Sequence, residues 1–262
     1  MSYEGQASDF TLNIARGLVS GMETVHRFGT APDGIQTTPT DLWNRANAAA
    51  LQQIWLPPTA ARIHSIVSTS ASDDGSPVGV GARTLRIWGL TSWSTAEVSE
   101  DITLNGVTPV NTVNSYVCIN RGVVITSGAT SINVGTITAT AATDATVQVQ
   151  MNPGRGQTER IAYAIPSVRQ LYIVNLNVAI NSSTATDRVD FDLAVNTNPD
   201  VQTTNYIVRA SMKVTNTGTS SYDWVFDPYF RIDGPAIVKI RGTGSAADID
   251  ATAGFNGILV AV

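Results

Sequence analysis

From Ala61 onward, apolar and polar residues alternate with a period close to two, the pattern of strands with one buried and one solvated face. Leu85 and Ile87 alternate with Arg86 and Trp88, and Ile102 and Leu104 with Asp101 and Thr103. Val147, Val149 and Met151 alternate with Thr146, Gln148 and Gln150. The later segments repeat the pattern over longer runs. Val189, Phe191, Leu193 and Val195 share one parity, as do Tyr206, Val208, Ala210, Met212 and Val214. Between Leu171 and Ile180 the parity slips, from Leu171 and Ile173 to Leu176, Val178 and Ile180. A β-bulge near Val174-Asn175 accounts for that slip, because it adds one residue to one strand.

Turn signals separate these runs. Asn105-Gly106, between Leu104 and Val107, predicts a tight hairpin, and Ser127-Gly128, Asn152-Pro153-Gly154 and Asn198-Pro199-Asp200 mark further turns. Many short strands at this spacing predict an all-β fold, as a sandwich, jelly roll or barrel. The segment from Met151 to Gly156 is the best boundary, so the favoured reading is two tandem antiparallel β-sandwich (jelly-roll-like) domains, residues 61–151 and 152–262. The alternative is one continuous double-sheet body. Residues 1–60 alternate weakly and read as an irregular N-terminal arm. One short helix is expected within it. Thr38 would cap it, Pro39 suits its first position, Asp41 suits its positive end, and Trp43, Ala50, Leu51 and Ile54 fall on one face before Pro57-Pro58 stops it.

The 262 residues are 43% hydrophobic, enough for a sizeable core, and only 14% charged. The net charge is −5, and Arg and Lys occur without runs, which argues against coating a phosphate backbone. The N-terminus lacks a basic and apolar leader pattern, and no window approaches the about 20 apolar residues of a membrane span. The expectation is a soluble protein made in a cytoplasm. Cys118, the single cysteine, sits in an apolar run and reads as a small buried hydrophobe.

No residue constellation points to catalysis, and neither a metal nor a cofactor is expected. His26 and His64 are not paired at metal-ligand spacing, and no nucleophile-elbow pattern is present. Asp190 and Asp192 share the polar face of a predicted strand, where a glycosidase pair is the sharp reading and a solvated face the bland one. Asp73-Asp74-Gly75 lies in a Ser/Gly-rich loop without a full calcium ligand series, and the stretches around Gly79-Val-Gly81 and Gly242-Thr-Gly244 read as turns. Trp88, Trp93 and Tyr229 fall at positions where an aromatic serves a subunit contact or a ligand platform, the contact being favoured.

Several segments carry a family resemblance. Ser68–Asp74, Gly79–Leu90 (Gly-Val-Gly-Ala-Arg-Thr-Leu-Arg-Ile-Trp-Gly-Leu), Glu100–Val110 and Asn133–Thr138 resemble virion structural proteins of tailed bacteriophages, notably marine ones. Gly154–Thr158 with Tyr163-Ala-Ile-Pro166, and Ala253–Leu259, resemble the opening and closing segments of the second half of such proteins. The resemblance covers about residues 65–260 and includes no catalytic residues. It implies a place in a phage particle, assembled in the host cytoplasm, in contact with other virion proteins and not with nucleic acid or membrane. The leading expectation is a head decoration (cement) protein, a homo-oligomer such as a trimer on the major capsid protein, anchored by Trp43 and Trp55 of the arm. The alternatives are a neck, tail or fibre-base component, and a host-surface carbohydrate-binding module using Trp88, Trp93 or Tyr229.

Overall fold

The structure is a computed structural model that describes residues 10–45, 54–201, 204–216 and 220–262. It is all-β, built from small antiparallel sheets, with one six-residue helix, α1 (Phe10–Ala15), among the described residues. No helix is long and apolar enough to cross a membrane.

Two hydrophobic cores each lie between two sheets. The first is bounded by a sheet in the order β6 (Val110–Asn111), β3 (His64–Ser68), β8 (Ile137–Ala141), β9 (Val147–Met151), and by another in the order β5 (Val98–Thr103), β4 (Ala82–Leu90), β7 (Cys118–Ser127). Leu85, Ile87, Ile102, Ile137, Val149 and Met151 fill it, as the alternation of these strands requires. The second core lies between the sheet β1 (Met22–Ile35), β16 (Ile249–Ala261), β11 (Arg169–Asn181), β14 (Ser221–Asp233) and the sheet β10 (Ala162–Ile165), β15 (Ala236–Gly244), β12 (Arg188–Asn196), β13 (Ile207–Thr215), with β2 (Thr40–Asp41) also pairing with β15.

The bulge expected in β11 is present. Against β16, Ile173 pairs with Gly257 and Asn175 with Asn256, so Val174 is the extra residue, and Leu176, Val178 and Ile180 return to the core.

Three expectations are corrected. The arrangement is not a simple tandem of sandwiches after an irregular arm, because β1 is a 14-residue strand paired along β16 from Met22↔Val260 to Ile35↔Ile249. Its inward positions are Val25, Arg27, Gly29 and Ala31, and a cation and two small residues there hide the alternation. The helix after Thr38 is absent where the chain is described. Thr40 and Asp41 form a strand against Gly242 and Arg241 of β15, which satisfies their backbone groups, and Trp43 bridges to Arg160. Residues 46–53 of that expected helix, including Ala50 and Leu51, lie outside the described residues. Finally, Asn105-Gly106 closes no hairpin. Gly106 is left-handed (φ 55°), but it donates to Asp73 O and accepts from Ser68 N, carrying the chain from one sheet of the first core to the other.

Candidate functional site

The two cores meet at a third cluster. Trp43, Trp55, Leu90, Val117, Cys118, Ala162, Ala164 and Ile237 are buried there, with Trp93, Val147 and Tyr206 packed against them. Arg160 threads this junction. Its guanidinium lies 4.4 Å over the Trp55 ring and donates to the carbonyls of Gln148, Ile119 and Asn120, and burial lowers its pKa to about 10. Lys239 Nζ is 2.7 Å from Asp41 Oδ2, which also accepts from Trp55 N at 2.8 Å. Burial lowers the Lys239 pKa, and Asp41 opposes that shift. The junction therefore holds two cations in place with carbonyls, one carboxylate and the faces of Trp55 and Tyr206.

This geometry corrects the expectation that Trp43 and Trp55 anchor the chain on another protein. At 3% and 1% exposure they are spent inside the fold, because each covers apolar surface that joins the cores. Trp93 is half-buried beside them, and its carbonyl accepts from Ser167 N.

Beside the junction a cleft of about 500 Å³ opens between the two bodies. Trp88 from β4, Arg121 from β7 and the turn containing Ala96 and Glu97 form one wall. Arg27 from β1, Tyr163 from β10 and Arg169 form the other. Arg121 stacks on Trp88 at 4.0 Å and Arg27 on Tyr163 at 4.7 Å. Glu97 accepts from Asn120 Nδ2 at 2.6 Å, and Asn120 exchanges two further hydrogen bonds with the Ala164 backbone, across the boundary between the cores. Burial raises the Glu97 pKa against the opposing pull of Arg27, Asn120 and Arg121.

A second surface lies at the far side of the later core. β13 and β14 are the outer strands of its two sheets and are joined by residues 216–220 alone. Trp224, Phe226, Phe230 and Ile232 turn inward, with Trp224 stacked on Phe226 at 5.1 Å. The outer face carries Val225 and Tyr229, 66% and 50% exposed, while Tyr222 lies on the inward side at the exposed start of the strand. Among the described residues β14 pairs with β11 alone, so one of its edges keeps unpaired backbone groups. Of the aromatics singled out in the sequence, Tyr229 faces this surface and Trp88 faces the cleft, and they are not brought together.

The remaining candidate chemistry resolves into structure. Asp73 is fully buried and accepts from Ser68 Oγ and from the backbone N–H groups of Ala82, Val134 and Gly135, so its oxygens organise the loop instead of facing a cation. Asp190 pairs with Lys213 at 3.4 Å on the solvated face of β12. His26 binds Asn256 at 2.6 Å, and His64 is buried beneath Tyr116. Gly242 and Gly244 lie on β15 and not in a turn, with no room for a Cβ beside Ile35 and Ala246 O. Among the described residues no group of three or more His, Cys, Asp or Glu is placed to hold a metal. The cleft was not legible in the sequence, since Arg27, Trp88, Glu97, Arg121 and Tyr163 share no local motif. Only the departure of Trp88 from the apolar parity of β4 hinted at it.

No protein-family model matches the chain, and no curated protein does. Among solved structures, the chain is similar to infectious bursal disease virus Gt strain, with a TM-score of 0.29 and 11% identity over 92% of this chain and 72% of that one. It is also similar to the VP2 subviral particle of infectious bursal disease virus, with a TM-score of 0.29 and 10% identity over 92% of this chain and 70% of the other. At such scores the likeness carries no conclusion about fold or function.

Proposed function

We propose that the protein is a non-enzymatic structural component of a virion, and specifically a decoration (cement) protein on the outer surface of a phage head. It is assembled in the host cytoplasm as a homo-oligomer such as a trimer and binds the major capsid protein. In this reading residues 61–151 form one β-sandwich body, and residues 152–262, completed by β1 and β2, form the other. The observation that carries it is the outer face of β14 at its open edge, where Val225 and Tyr229 stand exposed on the side opposite the inward Trp224, Phe226 and Phe230. Tyrosines in such a setting are suited to interface contacts. The motif resemblance to tailed-phage virion proteins supplies the particle. The mechanism is mass action: a protein that binds only the assembled shell stabilises it at every site it occupies.

The test uses purified expanded capsids. Val225→Asp combined with Tyr229→Ser should weaken binding by at least about tenfold while leaving the unfolding midpoint unchanged. Full binding by this variant removes that face from the interface. Copy number separates head from neck, tail or fibre base. A decoration protein rivals the major capsid protein on a stained gel of particles, and a few copies per particle would reject the head assignment.

A further inference from the structure

The cleft between the two bodies carries a charge imbalance that the fold does not use, independent of any role in a particle. Arg121 Cζ lies over the Trp88 ring at 4.0 Å from its centroid, and Arg27 Cζ over the Tyr163 ring at 4.7 Å. A cation over an aromatic ring is held by the ring face without spending its N–H donors, and an Arg N–H pair matches a carboxylate. The Arg121 side chain makes no hydrogen bond or ion pair among the described residues. Arg27 gives one donor to the His26 carbonyl at 2.9 Å, and its shielded Nε has no partner. At the rim, Arg169 already engages Glu23 at 3.0 Å, so that pair is neutral. Against Arg27 and Arg121 stands Glu97 alone, which leaves one positive charge in a chain of net charge −5.

The geometry points to this cleft as a binding site for an acidic sugar residue of a glycan. The sugar carboxylate meets the unpaired donors of Arg121 in the field of the buried Arg27, and its ring hydroxyls donate to Glu97 and exchange hydrogen bonds with Thr24 and Ser99 on the walls. A volume of about 500 Å³ falls within the range of small-ligand sites. Glu97 decides the ligand class. It repels a dianion such as phosphate more than a monoanion, and it needs hydroxyl donors, which a phosphate or an acidic peptide side chain does not present in number. Asn120 holds Glu97 while bonded to the Ala164 backbone, so both walls of the site are fixed by the same side chain.

The full-length protein is titrated by calorimetry with a short oligogalacturonate, the neutral galactose oligomer of equal length, inorganic phosphate and an aspartate-rich peptide. The oligogalacturonate should bind at least about tenfold tighter than each of the others, and Arg121→Gln should lose about tenfold or more, the scale of one charge-assisted hydrogen bond. Ala96→Trp, at an exposed position on the cleft wall, should block binding without altering the fold, and it decides the matter if Arg121→Gln lowers the melting temperature. Equal binding of the neutral oligomer, tighter binding of phosphate or peptide, undisturbed binding to Ala96→Trp, or no binding of the acidic oligomer at millimolar concentration each overturns the assignment.

Discussion

His64 shows how a single residue reads differently once its surroundings are known. In the sequence it interrupts an apolar strand, and in the fold it is fully buried on β3, edge-on to Tyr116 at 6.1 Å, with Nδ1 on the Arg62 carbonyl at 2.9 Å. Burial depresses its pKa from 6.5 to about 4, against the smaller opposing effect of that hydrogen bond. The folded protein thus holds His64 neutral while the unfolded chain takes up a proton first on acidification. Its contribution to stability is complete above the unfolded value and is lost as pH falls from 6.5 towards 4, to a total of up to about 3 kcal/mol. Urea unfolding at a series of pH values should show the midpoint falling across that window, and His64→Gln should flatten part of the fall. An identical slope in both proteins would assign the acid sensitivity to other groups. Cys118 behaves as its apolar neighbours suggested. It is buried, and its thiol pKa is pushed up to about 12 chiefly by desolvation.

At the scale of elements, local alternation succeeds where a strand is two-sided and fails where its inward positions are not apolar. The bulge at Val174 was readable because Leu171, Ile173, Leu176, Val178 and Ile180 all report the parity on either side of it. β1 was not, because Gly29 sits inward where the backbone of Leu42 and Ile161 comes too close for any side chain. A Cβ on Gly29 would lie 2.3 Å from Leu42 O and 2.7 Å from Ile161 N. Gly29→Ala must therefore push β1 away from the segment that carries β2. The cost should be about 1–3 kcal/mol in chemical denaturation, in the range of overpacked sites. A wild-type midpoint in that variant would mean that β1 and the Leu42 segment are free to separate. Asn105-Gly106 failed for a different reason: a turn dipeptide specifies local backbone shape, not which strands it joins.

For the whole molecule, the junction decides whether two cores behave as one. The Trp55 side chain is 1% exposed and lies under the Arg160 guanidinium, while its backbone N–H shares Asp41 with Lys239, so this residue meets the groups of the junction through both ring and backbone. Trp55→Ala should cost about 3–5 kcal/mol, and it should split thermal unfolding into two transitions, one for each core. A single transition at the wild-type temperature would show that the cluster does not couple them. The same junction explains why the cleft has walls from both bodies: Asn120 and Arg160 fix their approach before any ligand arrives.

The sequence by itself determined the all-β class, most core positions, the β11 bulge and the absence of catalytic spacing motifs, because period-two alternation and turn chemistry are local properties of the chain. Tertiary structure alone decided that β1 and β2 complete the later sheets, that Trp43 and Trp55 are buried, and that Arg27, Trp88, Glu97 and Arg121 share a cleft. Those outcomes depend on pairing between segments far apart in the chain, where burial is set by the partner strand and not by the residue's own neighbours.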